Sequence, residues 1–406
     1  MPGEALKGRH PYLTAEIPGT GGAIKESPDD FFVSEIPAYE PCGSGEHLYL
    51  TFEKRGITTL EAIRRIAGRL RVSERDVGYA GMKDAVGVTK QTISVQRVKA
   101  EDVLSLQLEG IRICSATRHS NKLKPGHLKG NHFQIKVRGI APHAAESTAA
   151  VLDVLRRRGV PNWFGDQRYG AQGNSHLIGA AMLRGDWQGA VDCLIGQPDA
   201  VRDGEWRSAI AAYQQGDLAE SLRRMPRHCR TERDVLQRLA ARPGAWEKAF
   251  SVVHPRLKKL YLSAFQSCLF DRVVEQRLAA LDRVMQGDLA WKHINGACFL
   301  VEDAEAEAPR AACFEISASG PMFGSRMTRP AGAVLAMEQR ILEDVGLSCD
   351  AFDSGNGVRM EGERRPLRVP LGDATCLLEG DTLQMEFSLP KGSYATSVVR
   401  EITKTF

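Results

Sequence analysis

A period of two, written near both ends of the chain, restricts its fold more than any other feature. Leu383, Met385, Phe387 and Leu389 alternate with Thr382, Gln384, Glu386 and Ser388. Phe133, Ile135 and Val137 alternate with Gln134, Lys136 and Arg138. Successive side chains of a strand point to opposite faces, so each run predicts a half-buried strand, the second with a basic outer face. Phe31 to Ile36 and His47 to Phe52 are short, aromatic-rich and bounded by Pro and Gly, as strands are. Ser397-Val398-Val399 reads as one more strand-like run.

The middle of the chain carries a different pattern. Helices are expected over Ser175–Leu183, Ala209–Leu222, Glu232–Ala241, Leu260–Leu281 and Ala333–Val345. Two more fall among the first strands. Thr58 to Leu70 opens on a Thr58-x-x-Glu61 capping box and places Leu60, Ile63, Ile66 and Leu70 on one face. Ala144 to Arg158 ends in three arginines before Gly159, charges that suit the negative end of a helix dipole. The pattern is α+β: a sheet domain drawn from both ends of the chain, with a largely helical section inserted between them. Pro161 and the stretch from Gly355 to Pro366 are the expected seams.

Between two apolar pieces, Val77 to Ala80 and Thr92 to Val98, lies a Gly-rich loop holding one acid, Asp84. Glycine has no Cβ, so such a loop lets a bulky ligand approach the backbone closely. A carboxylate presented there suits a nucleophile or a base, although an Asp in a Gly-rich turn commonly serves the turn alone. The charge pattern adds a second signal. The net charge is only +4, but from Gly110 to Ala145 there is no Asp or Glu. That window holds Arg112, Arg118, Lys122, Lys124, Lys129, Lys136 and Arg138 with four histidines. A run of one sign is a footprint for phosphates or simply a solvated basic face.

Several chemistries are set aside. Gly19-Thr20-Gly21-Gly22 lacks the Gly-Lys-Ser/Thr of a P-loop and the spacing of a dinucleotide site. There is no GxSxG elbow, and the acidic stretch from Glu302 to Glu307 reads as a solvated loop. The nine cysteines form no CxxC pair, and their odd number in a long chain points to a reducing compartment. His127 and His132 lack partners for a zinc site. Met1 to His10 has no apolar core and no apolar run reaches the ~18 residues that span a bilayer, so a cytoplasmic protein is expected.

Two further turns, Gly159 to Gly170 and Leu389 to Thr396, are dense in glycine, amide and aromatic groups. Aromatic and amide side chains beside cations suit a flipped nucleotide: the ring stacks, the amide reads an edge and the cation holds phosphate. For most of these aromatics, core packing is the plainer account.

The chain resembles the TruD family of pseudouridine synthases. The resemblance rests on Lys25 through Phe31, Ala80-Gly81-Met82-Lys83-Asp84, and Leu128-Lys129-Gly130-Asn131-His132-Phe133. It continues through Val160 to Gly165, Gln167 to Gly170, Leu262-Ser263-Ala264 with Leu269-Phe270, Ser319-Gly320-Pro321, and Gly392 to Thr396 with Arg400-Glu401. These matches run in family order along nearly the whole chain, with residues 198–244 unassigned. The implied fold is α+β: a catalytic domain with a central mixed or antiparallel sheet (residues 1–158 and 360–406), interrupted by a largely helical inserted α/β domain (residues 159–359). The implied activity is isomerisation of uridine to pseudouridine in RNA, at uridine-13 of tRNA in bacterial relatives, with no cofactor or metal.

Asp84 matches the family's catalytic aspartate and Lys25 a lysine supporting it. Phe31 and Asn131 match substrate contacts, Phe133 an active-site aromatic, and Tyr394 a position where some relatives have Phe. Lys83, Arg118, Lys122, Lys124 and Lys129 are expected to hold backbone phosphates. Whether the Asp84 carboxylate attacks the sugar, attacks the base or removes a sugar proton stays open at this level. No protein partner is evident, and without a coiled-coil heptad a monomer is expected. Two rival readings share these features: an RNA-binding protein without catalysis, and an Asp-nucleophile phosphoryl hydrolase, which would want further carboxylates near Asp84.

Overall fold

The computed structural model describes residues 10–83, 85–353 and 358–405. They form two compact units: one joins residues 14–160 to 369–405, and the other takes residues 161–368 with the segment ending at Leu13.

The first unit is built on a mixed sheet of nine strands among the described residues. Its order is Gly372–Glu379, Thr382–Pro390, Leu128–Arg138, Phe31–Pro37, Val88–Gln96, His47–Arg55 and Ile111–His119. Ala23–Ile24 pairs on strand 128–138 and Gly78–Tyr79 on strand 88–96. Among the described residues of this sheet, only the pair 31–37 with 88–96 is parallel. The two runs of period two sit side by side, with Phe387 opposite Phe133 and Leu389 opposite Asn131. The central position of strand 128–138 follows from this, since it pairs with 382–390 on one side and with 31–37 on the other. Gly130 is needed there, because a Cβ on it would collide with the Leu389 carbonyl oxygen.

One end of a sheet face is covered by helix Thr59–Leu70. Thr58 Oγ1 accepts the Glu61 N–H at 3.1 Å and so caps the first turn. The helix buries Ala62, Ile63, Ile66 and Ala67 against Leu48, Leu50, Phe52, Ile93 and Val95. Leu60, expected on that face, is 55% exposed. Burying each large apolar side chain contributes about 1.5–3 kcal/mol, so this cluster anchors the edge of the sheet. Helix Ala144–Arg158 buries Val151, Leu152 and Leu155.

Ser397, Val398 and Val399 lie in helix Ala395–Thr403 rather than in a strand. The β-branched Val398 and Val399 favour strands intrinsically, but here Val398, Val399 and Ile402 are all fully buried, and tertiary burial outweighs that preference. Glu401 on the same helix is also fully buried. Its Oε2 accepts from the Thr14 N–H at 3.1 Å and the Thr14 hydroxyl at 2.7 Å, with Lys404 Nζ at 3.3 Å.

The second unit is helical around a smaller sheet of order Cys298–Leu300, Leu289–Lys292, Ile316–Met322 and Glu363–Pro366. Its longest helix is Pro255–Arg277. The span read as one helix over 209–222 is two, Gly204–Gln214 and Leu218–Arg224, broken where Gly216 takes a positive φ of 81°. The acidic stretch near Glu302 is not a loop. Asp303 Oδ1 accepts the N–H groups of Glu305 and Ala306 at 2.9 and 3.1 Å, starting helix Ala304–Ala312. Two buried ion pairs brace this unit, Arg277 with Asp288 and Arg364 with Glu338, each closed at 2.8 Å. The helices over 187–246 enclose an open pocket of about 490 Å³ that includes Gln188, Asp192, Tyr213, Gln214 and Trp246. Among the described residues, no helix is long and apolar enough to cross a membrane.

Candidate active site

Strand register gathers the site. Directly opposed residues share a face, so Val33, Phe133 and Phe387 line up across three strands, and Glu35, Asn131 and Leu389 form the next row. Phe31 lies on this same face, two residues before Val33. Its ring meets Phe133 edge-on at 6.4 Å, and Phe133 lies 5.4 Å from Phe387. Gly87 approaches the Phe31 backbone so closely, at a φ of 125°, that a side chain there would strike the Phe31 carbonyl oxygen. The Gly-rich loop is therefore held against the start of strand 31–37. Asp84 itself lies outside the described residues.

Lys25 adopts the left-handed region at φ 62°, a backbone cost of about 1–3 kcal/mol for a residue with a Cβ. Its Nζ sits 4.2 Å from the centre of the Phe31 ring, a cation over an aromatic face. Asp30, between them in sequence order, is fully buried and faces away to a different task. Arg138 holds it with Nη2 at 2.7 Å and Nε at 3.1 Å, and these bonds keep its carboxyl below the usual Asp range.

The residue before position 84 is fixed from two sides. Lys83 Nζ donates to Glu35 Oε1 at 2.7 Å, and the Lys83 N–H donates to Thr59 Oγ1 at 2.8 Å. Thr59 Oγ1 in turn donates to Gln91 Oε1 at 3.1 Å, and Glu35 Oε2 accepts the Thr92 N–H at 3.0 Å. Lys83 was expected to face phosphate. It is turned inward instead, because a buried carboxylate already matches its charge. Glu35, which meets Lys83 beside the loop, is the residue of this site that the sequence reading did not single out. The signal was present: an acid occupies the inward phase of a strand whose preceding inward residues are Phe31 and Val33.

Asn131 Oδ1 and Gln91 Nε2 are buried without hydrogen-bond partners. Tyr394 is half-buried and stands at the N-cap of helix Ala395–Thr403, where its carbonyl accepts the Ser397 N–H at 3.0 Å.

The expected phosphate ligands divide. Lys124 and Lys129 are exposed, and Lys391, not expected, joins them through a 3.0 Å bond from its Nζ to the Gly126 carbonyl. Lys122 Nζ donates to the Arg75 carbonyl at 3.0 Å. Arg118 spends its guanidinium on the Glu46 and Val98 carbonyls at 3.2 and 2.8 Å, so it closes the edge of the sheet.

The fold that carries this site is that of a solved structure described as a pseudouridine synthase. The crystal structure of the putative tRNA pseudouridine synthase D (TruD) from Methanosarcina mazei matches this fold with a TM-score of 0.84 at 27% identity, over 98% of this chain and 97% of that one. Residues 8–402 match the family described as tRNA pseudouridine synthase D (TruD). The tRNA pseudouridine synthase D of Geotalea daltonii is 64% identical over 396 residues, covering 98% of this chain and all of that protein. That of Geobacter metallireducens is 63% identical over 399 residues, 98% of this chain and 99% of the relative. The chain belongs to the tRNA pseudouridine synthase D family and is an enzyme of that family.

Proposed function

We propose that this enzyme converts uridine to pseudouridine in tRNA, at position 13, with the Asp84 carboxylate as its catalytic nucleophile. The match to the tRNA pseudouridine synthase D family over residues 8–402 carries this reading. The face built from Phe31, Phe133 and Asn131, beside a loop braced at Lys83, supports it.

The reaction is an isomerisation. The bond from uracil N1 to the ribose C1′ breaks, and a bond from uracil C5 to C1′ forms. N1 gains a proton and C5 loses one, so atoms and electrons balance with no added oxidant or reductant. The uridine must first leave its stack, at a cost of a few kcal/mol. Stacking on an aromatic offsets about 1–3 kcal/mol of that, and Phe31 and Tyr394 are the rings for it. Lys25 supplies positive charge that favours an ionised carboxylate at position 84. Asn131 orients the uracil edge. Its amide oxygen has no partner in the free enzyme, so a rotamer change that brings it to substrate gives up no existing bond. Lys124 and Lys129 hold backbone phosphates.

The deciding experiment expresses the chain in a bacterial host lacking its own enzyme for this site and maps pseudouridine in total RNA. A new pseudouridine at tRNA position 13 is the expected result. RNA that is bound but unmodified would identify a binding protein without catalysis.

A further inference from the structure

Tyr39 lies in the segment between strands 31–37 and 47–55 and is 37% exposed. Its ring is held on several sides. It stacks on His119 at 5.1 Å with 25° between the planes, and meets His127 edge-on at 5.8 Å. Its hydroxyl lies 2.8 Å from His127 Nδ1 and 3.1 Å from the Tyr49 hydroxyl. His119 is fixed in turn, because its Nδ1 accepts the Cys42 N–H at 3.2 Å and its ring meets Tyr49 at 4.8 Å. An exposed aromatic is thus locked in one orientation before anything binds.

Exposed Glu40 follows Tyr39 in sequence, while the segments that flank its partner His127 are cationic. The loop carrying His127 also carries Lys124, Lys129 stands at the start of the strand that follows it, and Lys391 bonds to the carbonyl of Gly126, next to His127. The window from Gly110 to Ala145, which supplies His119, His127 and these two lysines, contains no carboxylate. Pinning the 38–46 segment accounts for the hydroxyl bonds of Tyr39. It does not account for a locked ring kept in solvent against a histidine whose neighbouring segments carry exposed Lys124, Lys129 and Lys391. Pre-oriented aromatics beside cations are how proteins hold unpaired nucleotides, since every base offers a π face and no ordering cost remains to be met. Phe31 and Pro37 stand at opposite ends of one strand, roughly 20 Å apart at 3.3 Å per residue, and Tyr39 follows Pro37. Tyr39 therefore belongs to the far end of that strand from the nucleotide seated on Phe31.

We propose that the Tyr39, His119 and His127 array is a second nucleotide platform, on which an unpaired base of the RNA substrate away from the target uridine stacks, with Lys124, Lys129 and Lys391 on its phosphates. The proposal rests on the RNA-modifying reading above and adds to it a site that fixes how the RNA is placed.

Cys42 provides a reporter. It is exposed beside this array, and hydrogen bonding to the Ser44 backbone, helped by His119, brings its thiol down to about 7. It therefore alkylates near neutral pH, and the exposed Cys313 and Cys376 serve as internal controls. Iodoacetamide labelling of the unaltered chain, read peptide by peptide, is compared with and without saturating unmodified tRNA. At least five-fold protection of Cys42, with Cys313 unprotected, is expected. In parallel, Tyr39→Leu raises KM and Kd for tRNA about ten-fold, the effect of losing one stacked base, while kcat moves far less. Tyr39→Phe, which keeps the ring, stays within about two-fold. Abasic substitutions scanned along the tRNA find one position, other than the target, whose penalty disappears in Tyr39→Leu. Equal labelling of Cys42 in both states, from a preparation that does form pseudouridine, overturns the platform and leaves the activity standing. A preparation that neither binds tRNA nor modifies it overturns both. If Tyr39→Leu melts at lower temperature than the parent, the labelling of the unaltered chain decides.

Discussion

Glu35 Oε1 lies 2.7 Å from Lys83 Nζ, and the two side chains are only 7% and 10% exposed. The pair joins a central strand of the sheet to the residue immediately before position 84. A loop rich in glycine is free to adopt many conformations; this pair and the Thr59 bond restrict it at Lys83, as the close approach of Gly87 to Phe31 does farther along.

Removing one member of such a pair leaves an uncompensated charge. Glu35→Gln is expected to destabilise the protein by about 3 kcal/mol, the lower end for a broken buried pair, and to lower kcat more than it raises KM. Glu35→Gln combined with Lys83→Met removes both charges and restores most of the stability without restoring kcat. Urea unfolding and steady-state kinetics on the parent and the two variants measure this. A double variant no more stable than the single one would show that the pair is not coupled.

Asp84→Asn forms no pseudouridine yet binds tRNA within a few-fold of the parent. Nucleoside analysis of RNA incubated with the variant, alongside a filter-binding titration, checks both halves. Retained turnover places the reacting carboxylate elsewhere.

Neutralising Lys122, Lys124 and Lys129 together weakens tRNA binding and flattens its dependence on salt. Each lost phosphate contact lowers the log–log slope by about 0.7 to 0.9. Because Lys122 is engaged with the Arg75 carbonyl, restoring it alone recovers less of the slope than restoring Lys124 or Lys129. Titrations from low to moderate salt give the slopes, and a slope equal to the parent's would turn this surface away from RNA.

Asp30 gives a prediction in pH. Arg138 lowers its folded pKa, so the folded state prefers the ionised form. The stabilisation is fully present above the ordinary Asp pKa of about 3.9 and is lost as pH falls through the lower folded value. The gap in urea midpoint between the parent and Asp30→Asn is therefore constant from pH 7 to 5 and closes below about pH 4. Arg138, 40% exposed, can turn to water in the variant, which limits the gap. A gap that widens on acidification contradicts the assignment.

What could be read from the sequence followed local periodicity. Alternation over 382–389 and 133–138 placed both strands correctly, since one face of each is buried throughout. Ser397 to Val399 deceived because three residues are too few to separate a period of two from 3.6, and only distant packing decides between them. Asp303 was misread because a cap looks like any acid until the N–H groups behind it are in place. In the candidate site, the aromatic residues drew attention through composition, but partners did not. Nothing local shows that Arg118 is consumed by two backbone carbonyls, or that Glu35 meets Lys83 across 48 residues. Pairings of that kind belong to the register of the sheet.

The buried contact of Glu401 with Thr14 bears on the order in which the molecule is made. Strand 128–138 takes its outer neighbour, 382–390, from residues translated some 250 positions later, and the helix bearing Glu401 emerges later still. Until then an open row of backbone donors and acceptors waits on the nascent polypeptide, the kind of edge that recruits stray chains. Residues 161–368 are translated before strand 382–390, so that unit has its whole chain earlier than the sheet has its outer strands. Slow elongation through this stretch would prolong that exposure, making translation speed a determinant of yield.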